Sequence, residues 1–125
     1  MALVLDAGGL IAVDRQDRTM GATLRVAQQE WIPVRTSAAV LAQVWRNGPR
    51  QANLARVLAG VDIAVLDRSA GKRVGEVLAR SRTSDVVDGH LGFIVSHGDV
   101  VFTSDDEDIK RILRARGVKA TVRRI

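Results

Sequence analysis

Three aspartates, Asp6, Asp88 and Asp105, stand at positions where carboxylates can act together in chemistry. Asp6 directly follows a short apolar run, Asp105 ends the segment VVFTS, and Asp88 lies near the start of an apolar helical segment. In open parallel α/β sheets, functional groups collect beyond the carboxyl ends of the strands. Carboxylates that converge there repel one another unless a cation neutralises them, and hard oxygen ligands of this kind suit Mg²⁺ or Mn²⁺. The sequence therefore predicts a divalent metal site that includes these three aspartates.

Neighbouring acids have two possible roles. Asp85 precedes Asp88 by three residues and shares its helix face if the helix begins early enough. It can then add negative charge to the site, or Ser84 or Asp85 can cap the helix and interact with its positive end. The two roles are compatible. The run at 106–108 is typical of a solvated first helical turn, and Asp108 is the first candidate for an exception.

The predicted elements alternate between strand and helix. Strands are expected at 2–5, 31–34, 61–66 and 99–104, with a short one at 118–125, and a turn at Gly8 and Gly9 follows the first. Helices are expected at 20–30, 38–46 with Ser37 as N-cap, 50–58, 69–80, 85–96 and 106–116. Trp45 is expected in the core, on an apolar helix stripe. The alternation predicts one α/β domain, residues 1–125, with a mainly parallel central sheet flanked by helices.

Charge is distributed unevenly. The chain carries 19 Lys and Arg against 14 Asp and Glu, a net charge of +5. Residues 83–109 contain seven acids and no Lys or Arg, so the remainder has 19 cations and seven acids, a net of +12. A basic body favours an anionic partner such as nucleic acid, and an acidic pocket within it favours a divalent cation between protein and phosphate. The alternative is that Arg richness reflects genome composition and the acids form a solvated face.

Several classes of protein are excluded. With no cysteine there is no disulfide framework, Cys-based zinc site or thiol nucleophile. The N-terminus lacks the basic region of a signal peptide, and no apolar run reaches the roughly 18 residues of a membrane span, so we expect a cytoplasmic protein with no membrane partner. P-loop, dinucleotide-binding, hydrolase-elbow and zincin motifs are all absent.

Four segments together resemble the PIN-domain family, and within it the VapC-type ribonuclease toxins of bacterial toxin–antitoxin pairs. They are VLDAGGLIA, TSAAVLAQVWR, DGHLGFIVSHG and TSDDEDI, and they occur in the family's order over nearly the whole chain. The resemblance implies a three-layer PIN-like domain and a Mg²⁺- or Mn²⁺-dependent endoribonuclease. It places Asp6, Asp88 and Asp105 at metal-ligand positions. It further implies a homodimer inhibited by a small antitoxin protein.

One position departs from the family pattern. The second motif normally carries Glu, whereas this chain has Gln43, which offers an oxygen but no negative charge. We expect Gln43 and Asp85 to complete the catalytic set. Arg46, close by, is a candidate for RNA phosphate contact or a plain surface arginine.

Two other functions remain open at this stage. One is a catalytically weakened PIN-fold module that acts by binding protein or RNA, because Gln43 replaces the usual Glu. The other is a small-nucleotide-binding α/β domain, against which the missing Gly-rich phosphate loop counts.

Overall fold

Five strands and seven helices alternate along the chain in the computed structural model, which describes residues 1–125. The strands are β1 (Leu3–Leu5), β2 (Val34–Ser37), β3 (Asp62–Ala64), β4 (Val100–Thr103) and β5 (Thr121–Arg124). The helices are α1 (Ala7–Asp14), α2 (Arg18–Gln29), α3 (Ala38–Val44), α4 (Ala52–Leu58), α5 (Arg68–Ser81), α6 (Val86–Ile94) and α7 (Asp106–Arg116). A short 3₁₀ helix, Gly48–Arg50, precedes α4. None of the helices is long and apolar enough to cross a membrane.

The strands form one parallel sheet in the order β3-β2-β1-β4-β5. Leu3 of the central strand β1 pairs with Val34 on one side and Val100 on the other. The direction of strand addition reverses at β1, so the crevice between the carboxyl ends of β1 and β4 is the topological switch point. The predicted α/β architecture with a parallel central sheet is confirmed, and Asp6 and Asp105 lie at this crevice.

The helices form two groups around the sheet. Helix α1 packs against α2, α3 and α4, whereas α5, α6 and α7 pack against one another. Right-handed crossovers favour opposite faces of the sheet for the two groups, and the groups meet where α3 contacts α6. The fully buried residues Val4, Leu5, Leu10, Leu91 and Val101 join both groups to the central strands. This buried centre holds the ends of β1 and β4 in fixed positions.

A helix, not the predicted turn, follows β1. Asp6 ends the strand in extended conformation and its Oδ1 accepts the Ala7 N–H at 2.7 Å, so it is the N-cap of α1. The two glycines allow close packing inside this helix. A Cβ on Gly8 would lie 3.2 Å from the Ser104 backbone nitrogen, and one on Gly9 would lie 3.2 Å from the Leu5 Cβ. The glycine pair that indicated a turn therefore lets α1 approach the loop after β4.

The second strand begins three residues later than predicted. Trp31 has a positive φ of 58°, which turns the chain out of α2, and its side chain is 93% exposed. Pro33 contributes only its carbonyl, which accepts the Leu3 N–H at the start of β1. Trp45 was also wrongly predicted, as a core residue. It is the C-cap of α3 and is partly exposed, because α3 ends one residue earlier, at Val44.

Replacement of Gly92 by alanine tests the close contact between α6 and α7. A Cβ at Gly92 would lie 2.5 Å from Cγ2 of the buried Ile112, so we expect Gly92→Ala to destabilise the fold by about 1–3 kcal/mol. The matched control is Gly75→Ala on the exposed side of α5, where a Cβ meets nothing within 4 Å. There the higher helix propensity of alanine should add about 0.5–1 kcal/mol. Urea unfolding measures the change in stability of each variant. Equal effects would contradict the close contact between Gly92 and Ile112.

Candidate metal centre

Helices α6 and α7 begin with the same arrangement of acids. Asp85 and Asp105 are their N-cap residues, and Asp88 and Asp108 follow three positions later in the first turn. Residues three apart lie on the same side of a helix, so each start presents two neighbouring carboxylates. The free N–H groups and the positive end of the dipole at a helix N-terminus favour negative charge. The local structure of both helices thus concentrates carboxylates at their first turns.

Three of these carboxylates converge. Asp88, Asp105 and Asp108 each offer an oxygen, and these oxygens all lie within 4.8 Å of one another. Asp88 and Asp108 are half-buried, and Asp105 is exposed. The ion pairs of the molecule are Arg35–Asp62 and Lys110–Asp106, so no basic side chain neutralises the three. A set of unpaired carboxylate oxygens at this spacing fits a hard divalent cation such as Mg²⁺ or Mn²⁺.

The arrangement changes the pKa of Asp88. Burial, together with the negative charges of Asp85, Asp6, Asp108 and Asp105, raises the pKa of Asp88 to about 7. Without a cation the group therefore carries a proton for part of the time at neutral pH. A divalent ion would remove this penalty, because it favours the ionised carboxylate.

Asp6 lies beside the group and is held by a buried hydroxyl. It is only 5% exposed, and its Oδ2 accepts a 2.7 Å hydrogen bond from Oγ1 of Thr103, which is fully buried at the end of β4. The same Oγ1 accepts the Asp105 N–H at 3.0 Å. Asp105 is left with no capping hydrogen bond from its own side chain, so its carboxylate is free. Thr103 thus connects Asp6 to the backbone that positions Asp105.

Asp85 has the capping role that the sequence left open. Its Oδ1 accepts the Asp88 N–H at 3.0 Å, and it lies outside the three-carboxylate group. It is exposed, yet it is the first of the charges that raise the pKa of Asp88. It therefore affects the site through its electric field.

Asp85→Asn separates the charge of this residue from its cap. Asparagine caps helices as well as aspartate does, so the free energy of unfolding should change by no more than about 0.5 kcal/mol. The pKa of Asp88 should fall, because the leading like charge is removed. Carboxyl NMR titration in metal-free buffer measures this pKa. Asp85→Ala is the control, and it should lose about 1 kcal/mol with the cap. An unchanged pKa would mean that Asp85 has no electrostatic part in the site.

Two other predicted residues lie on α3 and just after it. Gln43 is exposed on α3, a helix that contacts α6. Arg46 is exposed just after α3, and its Nη1 donates to the carbonyls of Ala42 and Trp45 at 2.9 and 2.7 Å. The guanidinium thus closes the C-terminal end of the helix, while Nε and Nη2 remain available to a phosphate.

The remaining acids of the 83–109 stretch have structural roles or are solvated. Asp99 is buried at the other end of β4, where it accepts the N–H groups of Ala2 and Ser96 at 2.8 Å. Asp106 accepts a 2.9 Å hydrogen bond from Lys110, which lowers its pKa. Glu107 is exposed. Of the seven acids of this stretch, the group around Asp88 therefore remains as the candidate site.

Two residues of the site, Asp108 and Thr103, were not among the metal-site residues predicted from the sequence. Asp108 was grouped with a solvated turn, although its spacing of three from Asp105 was the available signal. Thr103 had no assigned role, and its signal was a hydroxyl at a strand end two residues before an aspartate. Hydrogen bonds across 97 residues, such as Thr103 to Asp6, leave no local pattern.

Comparison with known proteins found a solved structure with a similar fold. The chain is similar to one in the crystal structure of VapBC2 from Rickettsia felis bound to a DNA fragment from their promoter, with a TM-score of 0.68. The two chains share a fold. The match covers 98% of this chain and 99% of the other at 14% sequence identity. No family model matches the sequence, and no curated protein was found as a relative. The similarity in fold agrees with the PIN-like α/β domain expected from the sequence motifs.

Proposed function

We propose that this chain is a metal-dependent endoribonuclease, the toxin of a type II toxin–antitoxin pair, and that residues 1–125 act as one PIN-like domain in the cytoplasm. The observation that carries the proposal is the convergence of Asp88, Asp105 and Asp108 within 4.8 Å, beside Asp6. They lie at the crevice where α/β sheets hold their ligands. The basic remainder of the chain supports a nucleic acid substrate, and the resemblance of the sequence motifs to ribonuclease toxins favours RNA.

The residues have distinct roles in this proposal. Asp88, Asp105 and Asp108 hold Mg²⁺ or Mn²⁺, and Asp6 offers a further oxygen to the same centre. The ion, when bound, supplies an activated water and stabilises charge on the scissile phosphate. Thr103 orients Asp6 and Asp105, and Asp85 adds negative field from its cap position. The N-termini of α6 and α7 reduce the repulsion among the acids, so the ligands are in place before RNA arrives.

The direct test is cleavage of a mixed RNA pool by purified protein with Mn²⁺, Mg²⁺ or EDTA. We expect new RNA ends with either metal and none in EDTA, with sequencing of the ends to locate the cuts. A preparation of Asp88→Asn purified in parallel controls for contaminating nucleases. Equal cleavage by the two preparations would show that the activity does not come from this site.

A binding module without strong catalysis is the second candidate, and Gln43 favours it. A neutral amide in the position where the family pattern has Glu leaves the centre with less negative charge. In this case the chain still binds RNA or a protein partner, and its metal site is too weak to support hydrolysis. The two candidates differ in whether the unaltered chain cuts RNA in Mn²⁺.

Gln43→Glu tests whether the centre lacks one charge. If the new carboxylate reaches the centre, Mn²⁺ should bind more tightly and cleavage should be faster, because a carboxylate adds a charged ligand. We expect at least about a tenfold gain in Mn²⁺ affinity by calorimetry, the scale at which a nearby supporting group acts. Gln29→Glu, an exposed change at the end of α2, controls for net charge. If the parent chain is inactive and Gln43→Glu makes it active, the binding-module function is established instead.

We propose a small cognate antitoxin and a second copy of this chain as protein partners. VapBC2 was crystallised as a complex on promoter DNA, which supports a toxin–antitoxin assembly here. An apolar groove of about 640 Å³ between α2 and the sheet, with Leu3, Val26, Val100 and Phe102 in its lining, offers a surface that a partner would cover. Sedimentation of the purified chain, alone and after co-expression with the protein encoded beside it, tests both partners.

A further inference from the structure

A basic pocket of about 520 Å³ lies where α5 packs against α6 and α7. Four of its eight lining residues are cations, Lys72, Arg73, Arg80 and Arg116, and its only acid is Glu76. The three cations of α5 are exposed and form no ion pair, with Glu76 or any other acid. With four cations and one acid, the pocket lining carries a net charge of +3, and none of these charges is in an ion pair.

Arg116 is held firmly at the inner wall of this pocket. It is half-buried at the end of α7, and its Nη1 donates to the carbonyls of Gly92 and Val95 at 2.7 Å each. The guanidinium carbon lies 5.8 Å from the centre of the Phe93 ring. Burial and the charge of Arg80 lower the pKa of Arg116, so two like charges are kept near each other. Nε and Nη2 make no hydrogen bond within the protein, and an anion would relieve the repulsion.

We propose that this pocket binds a backbone phosphate of single-stranded RNA, as a second contact apart from the acidic centre. Three of its four cations are arginines, whose planar guanidinium matches the oxygens of phosphate. The inference rests on the proposed function only for the identity of the polyanion. The charge and the anchored arginine are independent of the metal site.

The length of the helices sets the span between the two contacts. Asp108 and Arg116 lie at opposite ends of α7, about 12 Å apart along its axis at 1.5 Å per residue. Asp88 and Phe93 are about 7.5 Å apart along α6 by the same rise. At about 3.4 Å per stacked nucleotide, a strand of roughly four nucleotides covers the longer distance. A shorter oligonucleotide with stacked bases does not reach from one contact to the other.

The test is RNA binding in EDTA, where cleavage cannot occur. Fluorescence anisotropy compares single-stranded oligonucleotides of about 3 and about 12 nucleotides on the double variant Arg73→Gln, Arg80→Gln. We expect the longer RNA to bind about tenfold more weakly, because two charge-assisted contacts are lost. The slope of log affinity against log salt should fall by about 0.7, since one single-strand phosphate contact contributes about 0.7. Binding of the shorter RNA should weaken as well, because one of its phosphates can still occupy the pocket.

The matched control is Arg15→Gln, Arg25→Gln, which removes the same charge from exposed positions in the other helix group. Equal weakening by the two double variants, or an unchanged affinity of the pocket variant, would overturn the proposal. Thermal unfolding verifies that both variants are folded. A chain that never cleaves RNA in Mn²⁺ yet shows the expected pocket dependence would refute the proposed nuclease and leave the pocket standing.

Discussion

Asp88→Asn is expected to abolish metal-dependent RNA cleavage and to make the metal-free protein more stable at neutral pH. The loss of rate should be about a thousandfold or more, because metal-ion catalysis contributes several kcal/mol of transition-state stabilisation. The gain in stability has a separate cause, the burial of the Asp88 carboxylate together with the like charges around it. Asparagine has nearly the same shape and removes one of these charges.

The pH dependence follows from the raised pKa of Asp88. Its pKa is about 7 in the folded chain against 3.8 for the ordinary group, so between these values the folded state binds more protons than the unfolded state. The free energy of unfolding therefore decreases as pH rises from about 4 to about 7, and the full penalty applies above pH 7. In EDTA at pH 8, Asp88→Asn should be more stable by about 1–2 kcal/mol, a value reduced for partial solvent screening. Near pH 4 the two proteins should be equally stable.

Urea unfolding at both pH values, with and without Mn²⁺, measures these effects. Mn²⁺ at about a hundred times its Kd should stabilise the parent chain by about 2.7 kcal/mol and the variant much less. Asp106→Asn is the control, because that acid pairs with Lys110 and lies outside the group. Equal stabilisation of Asp88→Asn and the parent by Mn²⁺ would exclude Asp88 as a ligand.

Thr103→Val is expected to damage both the fold and the metal centre, although threonine is not itself a ligand. The change leaves the buried Asp6 Oδ2 without its hydrogen-bond donor and the Asp105 N–H without its acceptor. We expect a loss of about 2–3 kcal/mol in unfolding free energy, since an unpaired buried charged acceptor is costly. Affinity for Mn²⁺ should fall about 10- to 100-fold, the usual effect of removing a group that orients metal ligands.

Thr103→Ser is the matched control, because it keeps the hydroxyl and removes only the methyl group. It should retain Mn²⁺ affinity within about threefold, while its stability falls by roughly 1 kcal/mol through the lost buried methyl. Calorimetric Mn²⁺ titration and urea unfolding distinguish the two variants. Parallel loss of affinity in valine and serine variants would show that packing, and not the hydroxyl, supports the centre.

Much of the fold could be predicted because its signals are local. Alternation of apolar strands and amphipathic helices indicated the parallel sheet, and Ser37 was correctly predicted as the N-cap of α3. Errors arose where tertiary contacts override local pattern. Gly8 and Gly9 are typical of a turn, yet the packing of α1 against Leu5 and Ser104 requires small residues inside a helix.

The candidate centre, like the fold, could be predicted where it depends on local sequence. The places of Asp6, Asp88 and Asp105 follow from strand ends and helix starts, and the structure brings Asp88 and Asp105 together with Asp108. The sequence did not predict that Asp6 would be engaged by Thr103, because that contact depends on the pairing of β1 with β4. Nor did it predict that Gln43 would be exposed, since helix rotation depends on packing.

The central position of β1 also determines when during synthesis the carboxylates can assemble. Leu3 pairs with Val100, so the first strand to leave the ribosome must wait for nearly a hundred residues before its second neighbour exists. Pairings so distant in sequence form late and slowly, and β1 stays an unpaired edge until they do. A nascent chain that has not yet reached Asp105 lacks two of the three grouped acids. The complete group of acids therefore cannot form until the fourth strand and the start of the seventh helix have emerged from the ribosome.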